Sequence, residues 1–245
     1  MNDFNQILTS VKAITDNQRT ELFVPSANVS VVFKSLTAKQ QKDLIKTAAD
    51  NKLNMVSLLD TINSILLTNS ITKCEFLVSD RNYIIAQLRA ATISPTYIYK
   101  EKTYNLLQLA KNRVIIADSL KQQTIETTDL TVYCKIPNLQ LDTVYNTVLL
   151  KSADDTKKSS DLLGELFIYE VLKYVQKIHS PALGVDIIMS DLAVKQQFQL
   201  LESLPASLYN KIVEYINKVK EFEATLLKID DDTIEIDINQ GFFTT

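Results

Sequence analysis

Glycine is nearly absent from this chain: 3 occur in 245 residues, where average usage of about 7% would give roughly 17. Gly164, Gly184 and Gly241 stand alone. Neither a Walker-type loop nor a Gly-x-Gly turn can be drawn from them, so nucleotide chemistry lacks its backbone cradle. Tryptophan is missing altogether. Without it there is no sugar platform, and Asp154-Asp155 and Asp231-Asp232 read as solvated turns rather than as a glycosidase pair. Histidine occurs once, as His179, and no Gly-x-Ser-x-Gly elbow exists, which argues against serine and cysteine hydrolases. His179 itself reads as the end of a helix before Ser180-Pro181, where a cation favours the helix C-terminus. Two cysteines and one histidine cannot supply a usual zinc set, and Asp230-Asp231-Asp232 lacks the spacing, glycine and closing glutamate of a calcium loop. No metal and no cofactor is expected. Cys74 and Cys134, far apart in a chain large enough to fold without staples, read as buried or half-buried free thiols.

Charge of one sign is also lacking. The 26 basic and 29 acidic residues leave a net charge of −3, so no global field gathers phosphate backbones or anionic lipid. The basic set is 22 Lys and 4 Arg, poor material for bidentate phosphate or base-edge recognition, and nucleic acid is not an expected partner. The longest apolar stretch, residues 53–71, is interrupted by Asp60 and by several Asn, Ser and Thr, so no membrane span is expected. The first residues lack both the basic and the apolar regions of a secretion signal, and synthesis in a cytosol is the default. What is present is enough apolar material, 46% of residues, to bury a core.

The pattern along the chain implies an α+β fold: an N-terminal β-hairpin with helices, a mixed middle region, and a helical C-terminal part ending in a strand. Residues 1–21 are polar with scattered apolar positions and read as a weakly structured or partner-dependent arm, or a short helix. Residues 22–24 and 29–33 read as two short strands joined across Pro25-Ser26-Ala27-Asn28. With no glycine in that turn, Asn28 must take any positive φ. Thr37-Ala38-Lys39-Gln40 fits a capping box opening a helix towards Ala49. Helical stretches follow at 55–67 and 80–91, the second with Tyr83, Ile84, Leu88 and Ala91 at helical spacing and a stop at Ser94-Pro95. Residues 130–136 alternate and are rich in β-formers, with 144–150 as a possible strand partner and the pairing open.

Residues 151–160 hold almost nothing to bury and mark a boundary between an α+β module at 22–150 and a helical module at 151–245. A helix apolar on most of its circumference is expected over 161–178. Another is expected over 191–203, and a third from Pro205 to Lys228, the last two forming an antiparallel hairpin. In the third, Leu208, Ile212, Tyr215, Val219, Phe222 and Leu226 are spaced 4, 3, 4, 3 and 4, a short heptad seam. Residues 233–238 alternate with period 2 and should form a strand with the aromatic end Phe242-Phe243.

The run Leu22-Phe23-Val24-Pro25-Ser26, then Val31-Val32-Phe33-Lys34-Ser35-Leu36-Thr37, a helix, Asp80-Arg81-Asn82-Tyr83 and Leu88-Arg89-Ala90 resembles the baseplate hub assembly family of T4-type contractile-tailed bacteriophages. The match covers residues 22–93, and the closing Ile236-Asp237-Ile238 with Phe242-Phe243 is similar to the hydrophobic strand and aromatic end of such proteins. The resemblance implies a noncatalytic tail protein that builds the baseplate hub or helps its subunits assemble. Its partners would be other baseplate or tail hub proteins, and an oligomer is allowed. It would be made in the host cytoplasm, with the virion tail as a destination. On that reading the terminal strand can add to a partner's sheet edge and the heptad seam can dock a helix. The contact residues would be Leu208, Ile212, Val219, Phe222, Ile236, Phe242 and Phe243, each of which is equally at home in an ordinary core. Two alternatives stay open: a transient assembly chaperone absent from the virion, and an enzyme whose site is spread over distant carboxylates, lysines and tyrosines.

Overall fold

The computed structural model describes residues 2–49, 54–152, 159–230, 232–236 and 240–244. Helix and strand are mixed along the chain, an α+β content with a hairpin near the start. The chain divides into two compact units. The first comprises Met1–Phe76, Asp80–Ile115 and Glu223–Thr245, the second Leu77–Ser79 and Ile116–Phe222. The division therefore does not run at 151. The polar segment expected as a boundary lies within the second unit, and its residues 153–158 fall outside the described ones.

In the first unit, helix α1 (Asn2–Asn17) leads into strands β1 (Arg19–Val24) and β2 (Val29–Lys34), an antiparallel hairpin. Of the readings open for 1–21, arm or short helix, the helix is the one taken, and residues 19–21 already belong to β1. Asn28 carries the turn with φ +53°, its N–H donating to Val24 O at 2.9 Å. Asparagine tolerates this left-handed geometry better than most side chains. Leu22, Phe23, Val24, Val31 and Phe33 are buried, and the Phe33 ring sits 5.6 Å from that of Phe76.

Helix α2 (Ala38–Ala49) opens on the capping box: Gln40 N donates to Thr37 Oγ1 at 3.1 Å, and Thr37 N donates back to Gln40 Oε1 at 3.0 Å. Helices α3 (Asn54–Asn69) and α4 (Arg81–Thr92) follow. α4 is buried along all of 83–90, which makes it the central helix of the unit. It stops where Pro95 forbids continuation. Strands β3 (Thr96–Tyr99) and β4 (Lys102–Asn105) form a hairpin whose tip, Lys100 and Glu101, has φ +48° and +63°. These are the mirror-image turn angles that match strand twist, taken here by residues with side chains.

The second unit begins with the short helix α5 (Asp118–Lys121), strand β5 (Gln122–Glu126) and strand β6 (Thr131–Lys135). Helices α6 (Leu139–Ser152) and α7 (Ser159–Leu172) intervene before β7 (Val175–Ser180) and β8 (Val185–Ile188). The four strands form an antiparallel sheet in the order β5-β6-β7-β8. Two expectations are corrected here. Residues 144–150 are helix, not strand: Asn138 Oδ1 accepts from Leu141 N at 2.8 Å at the helix start, and Leu139, Asp142, Tyr145 and Leu149 are buried at helical spacing. The helix expected to Ile178 ends at Leu172, because Val175 and Ile178 complete the sheet against β6. A run apolar on every side has no period to separate helix from buried strand.

Helix α8 (Val194–Glu202) and helix α9 (Ala206–Leu226) close the unit. Pro205 lies just before α9 and its carbonyl accepts from Leu208 and Tyr209. Both helices meet α7, through Tyr169 with Phe198 (ring centroids 5.4 Å apart) and Phe167 with Tyr209 (5.9 Å). Lys173 is buried and held by Asp142 at 2.7 Å, Asn146 at 2.9 Å and Glu170 at 3.2 Å. Removing either partner of this buried pair would leave an uncompensated charge, which ties α6 to the end of α7.

From Glu223 the chain is again part of the first unit. Strands β9 (Lys228–Ile229) and β10 (Asp232–Thr233) pair over two residues, and Ile234 N donates to Leu227 O at 2.8 Å. The terminal strand is therefore shorter than the alternation over 233–238 suggests, and residues 237 and 238 lie outside the described ones. A short turn of 3-10 helix (Gln240–Phe243) carries Phe242 and Phe243 into the core of the first unit.

Candidate interaction surfaces

The Pro-Ser turn, residues 80–83 and residues 88–90 lie in the first unit. Ser26 in the hairpin turn donates from its backbone N to Asp80 Oδ1 at 3.0 Å and from Oγ to Asp80 Oδ2 at 2.5 Å, both inside the protein. The Pro-Ser turn is thereby tied to the start of α4 by charge-assisted hydrogen bonds. Three residues on, Tyr83 donates its hydroxyl to Leu109 O and Asn112 O at 3.1 and 2.9 Å. Two turns further, Arg89 is 4% exposed, and its partners are all carbonyl oxygens: Phe242 O at 2.8 Å, Thr96 O at 2.7 Å, Thr244 O at 3.5 Å, and Ser94 O. Burial pulls the Arg89 guanidinium down from its ordinary range. It remains charged, since arginine does not lose its proton in proteins. Its planar fork clamps the closing aromatic segment onto α4, with the Phe242 ring 5.4 Å away. A cavity of about 640 Å³ beside it is lined by Thr96, Tyr97, Tyr99, Lys100, Glu235 and Phe242 among others.

The chemistry available elsewhere is limited by geometry. His179 is in β7, not at a helix end, with Nδ1 2.7 Å from Asp186 Oδ1 on β8. That contact, followed by Lys177, holds the Asp186 carboxyl below its usual value. Burial pushes the Cys134 thiol up to about 12, so it is not a nucleophile at neutral pH. Cys74, half-buried, is also raised, by burial first and then by Asp80 and Glu75. No cluster of three or more His, Cys, Asp or Glu able to hold a metal is found among the described residues. No helix among them is long and apolar enough to cross a membrane.

The seven residues expected to contact a partner are mostly used inside the chain. Leu208, Ile212 and Val219 are buried on one face of α9, where Tyr215 crosses Tyr174 edge-on and donates to Leu120 O and Lys121 O. Phe222 and Ile236 are half-buried. Phe242 and Phe243 are fully buried: Tyr97 packs edge-on against Phe242, and Gln41 Nε2 donates to Phe243 O at 2.7 Å. The seam of α9 and the aromatic end are core, for the ordinary reason that large apolar side chains with complementary neighbours inside the fold are buried there.

Two outward faces stand beside them: for residues 1–21 the sequence allowed a partner-dependent arm or a short helix but named no apolar face, and β8 was not read at all. Along α1, residues 3–14 are all exposed, and Phe4, Ile7, Leu8, Val11 and Ile14 are 39–70% exposed. At the end of the β5-β6-β7-β8 sheet, β8 is an edge strand with Val185 and Ile188 exposed, following a turn with exposed Leu183 and with Gly184 at φ +62°. Unpaired edges of this kind template pairing with another strand unless charge or proline blunts them, and β8 carries Asp186 alone. The signal for α1 was present as the 3, 4, 3 spacing of Phe4, Ile7, Val11 and Ile14. The signal for β8 was the β-branched run after Gly184. The chain matches no protein-family model, no curated protein and no solved structure.

Proposed function

We propose that this chain is a noncatalytic protein of a contractile bacteriophage tail, a component of the baseplate hub or a factor that assembles it, acting through protein–protein contacts. The observation that carries the reading is the Ser26–Asp80 pair. The two separated parts of the sequence that resemble the baseplate hub assembly family, the Pro-Ser entry and the Asp-x-x-Tyr helix, are joined by buried hydrogen bonds. Asp80, Tyr83 and Arg89, on which the resemblance rests, each hold separate parts of the fold together. The uncovered apolar positions on α1 and β8 supply surface for contacts, while the one histidine and the buried thiol are poorly placed for catalysis. Partners would be other tail proteins rather than nucleic acid. The site of action would be the host cytoplasm during assembly, and then the virion if the protein is retained.

The test is quantitative mass spectrometry of purified phage particles against the soluble fraction of infected cells. A fixed, symmetric copy number per particle identifies a baseplate subunit. Abundance in the lysate with absence from particles identifies a transient assembly chaperone. Absence of any association with tail proteins in either fraction overturns the reading.

A further inference from the structure

We propose that α1 pairs with the α1 of a second copy of this chain, through a seam of Phe4, Ile7, Val11 and Ile14. Their 3, 4, 3 spacing places them at the core positions of two successive heptads, and Leu8 widens the stripe. At 3.6 residues per turn the five side chains fall within about 120° of the helix surface, while Asn5, Gln6, Thr9, Lys12 and Asp16 occupy the rest. A helix of 16 residues is marginal in water unless its apolar face is packed, and here that face is exposed. The root of the helix is fixed: Lys34 Nζ lies 2.8 Å from Asp16 Oδ1, and Ser35 N donates to Gln18 O at 3.1 Å. Neither contact touches the stripe.

Charge selects the occupant. Helices that choose a different partner do so with charged residues flanking the seam. The flanking positions here are Asp3, Ser10 and Asn17 on one side and Leu8 and Thr15 on the other, of which only Asp3 is charged. In a parallel pair Asp3 faces Leu8 of the second copy and in an antiparallel pair Asn17, so identical helices meet no like charge in either orientation. A lipid surface fits less well, because the polar face offers Lys12 against Asp3 and Asp16, whereas surface-bound helices are rich in cations. Doubled by symmetry, the five side chains bring together roughly 1,000 Å² of apolar area, about the lower limit of a specific interface. An interface at that limit points to a reversible, concentration-dependent dimer rather than a permanent one.

Sedimentation velocity of the full chain between about 1 and 100 µM tests this, alongside Val11→Glu and Ile7→Glu. The expected result is a concentration-dependent dimer that each substitution weakens at least tenfold, with the thermal unfolding midpoint of the dilute protein unchanged. A monomer throughout that range overturns the proposal, as does a dimer indifferent to both substitutions, which would use another face. Binding of the wild-type chain to phosphatidylcholine–phosphatidylserine vesicles, lost in Val11→Glu, would replace the second copy with a lipid surface.

Discussion

Helices α1 and α9 carry the same heptad pattern and put it to opposite uses. In α9 the stripe of Leu208, Ile212, Tyr215 and Val219 is buried, and its tyrosine finds carbonyl partners on the second unit's own backbone. In α1 the stripe of Phe4, Ile7, Val11 and Ile14 faces outward along its whole length. A heptad states that a helix has one face to bury, not where the other half of the interface comes from. The longer seam attracts attention as a docking site, yet length is also what lets a helix organise a core. The shorter one, in a segment that reads as a weakly structured or partner-dependent arm or a short helix, is left uncovered.

That contrast can be broken by substitution. The largest effect is expected from Ile212→Glu, which buries an unpaired carboxylate at a position with no exposure. It should cost on the order of 4 kcal/mol or more and abolish cooperative unfolding of the second unit in urea, followed by circular dichroism. Arg89→Met keeps the stem but strips the carbonyls of Ser94, Thr96 and Phe242 of their donor. A loss of about 3 kcal/mol is expected, read from the shift in urea midpoint. Asp80→Asn keeps the shape and weakens both bonds from Ser26, for a loss of about 2 kcal/mol by the same measurement.

Surface positions should respond less. The Asp186 carboxyl is held below its ordinary value of 3.8, chiefly by the His179 contact. A carboxylate with a depressed native pKa contributes stability above its unfolded value and loses it as pH falls through the native one. Asp186→Asn should therefore melt slightly below wild type above about pH 4, the gap closing under stronger acid; a gap that widens instead would assign the pair no stabilising role. Val11→Glu is expected to be the mildest, within about 0.5 kcal/mol for the monomer. A loss comparable to that of Ile212→Glu would mean that α1 is packed after all.

What the sequence made legible were features whose physics is local. Thr37 and Gln40 cap each other within one turn, Asn28 is forced into the left-handed region by the shape of its hairpin, and Pro95 and Pro205 punctuate α4 and α9. The α9 seam was legible as a stripe, with core and docking face both open, and it is core. What escaped was set by distant partners. The boundary between α7 and β7 is decided by β6, some 40 residues earlier in a run without period. The Arg89 clamp joins residues 153 apart in sequence, and no local pattern marks a cation whose partners are backbone carbonyls. For residues 1–21 a short helix was one of the readings open, and α1 takes it; its stripe stayed hidden because apolar residues scattered among Asn, Thr and Ser dilute a pattern that only the helical wheel collects.

The most direct test compares the two helices in one sample. Hydrogen exchange of the full chain, read by mass spectrometry at low and high protein concentration, reports amide protection in α1 and α9 separately. The account predicts that α9 is protected equally at both concentrations, while α1 exchanges quickly when dilute and slows as concentration rises. Protection of α1 matching that of α9 in the dilute sample would contradict it.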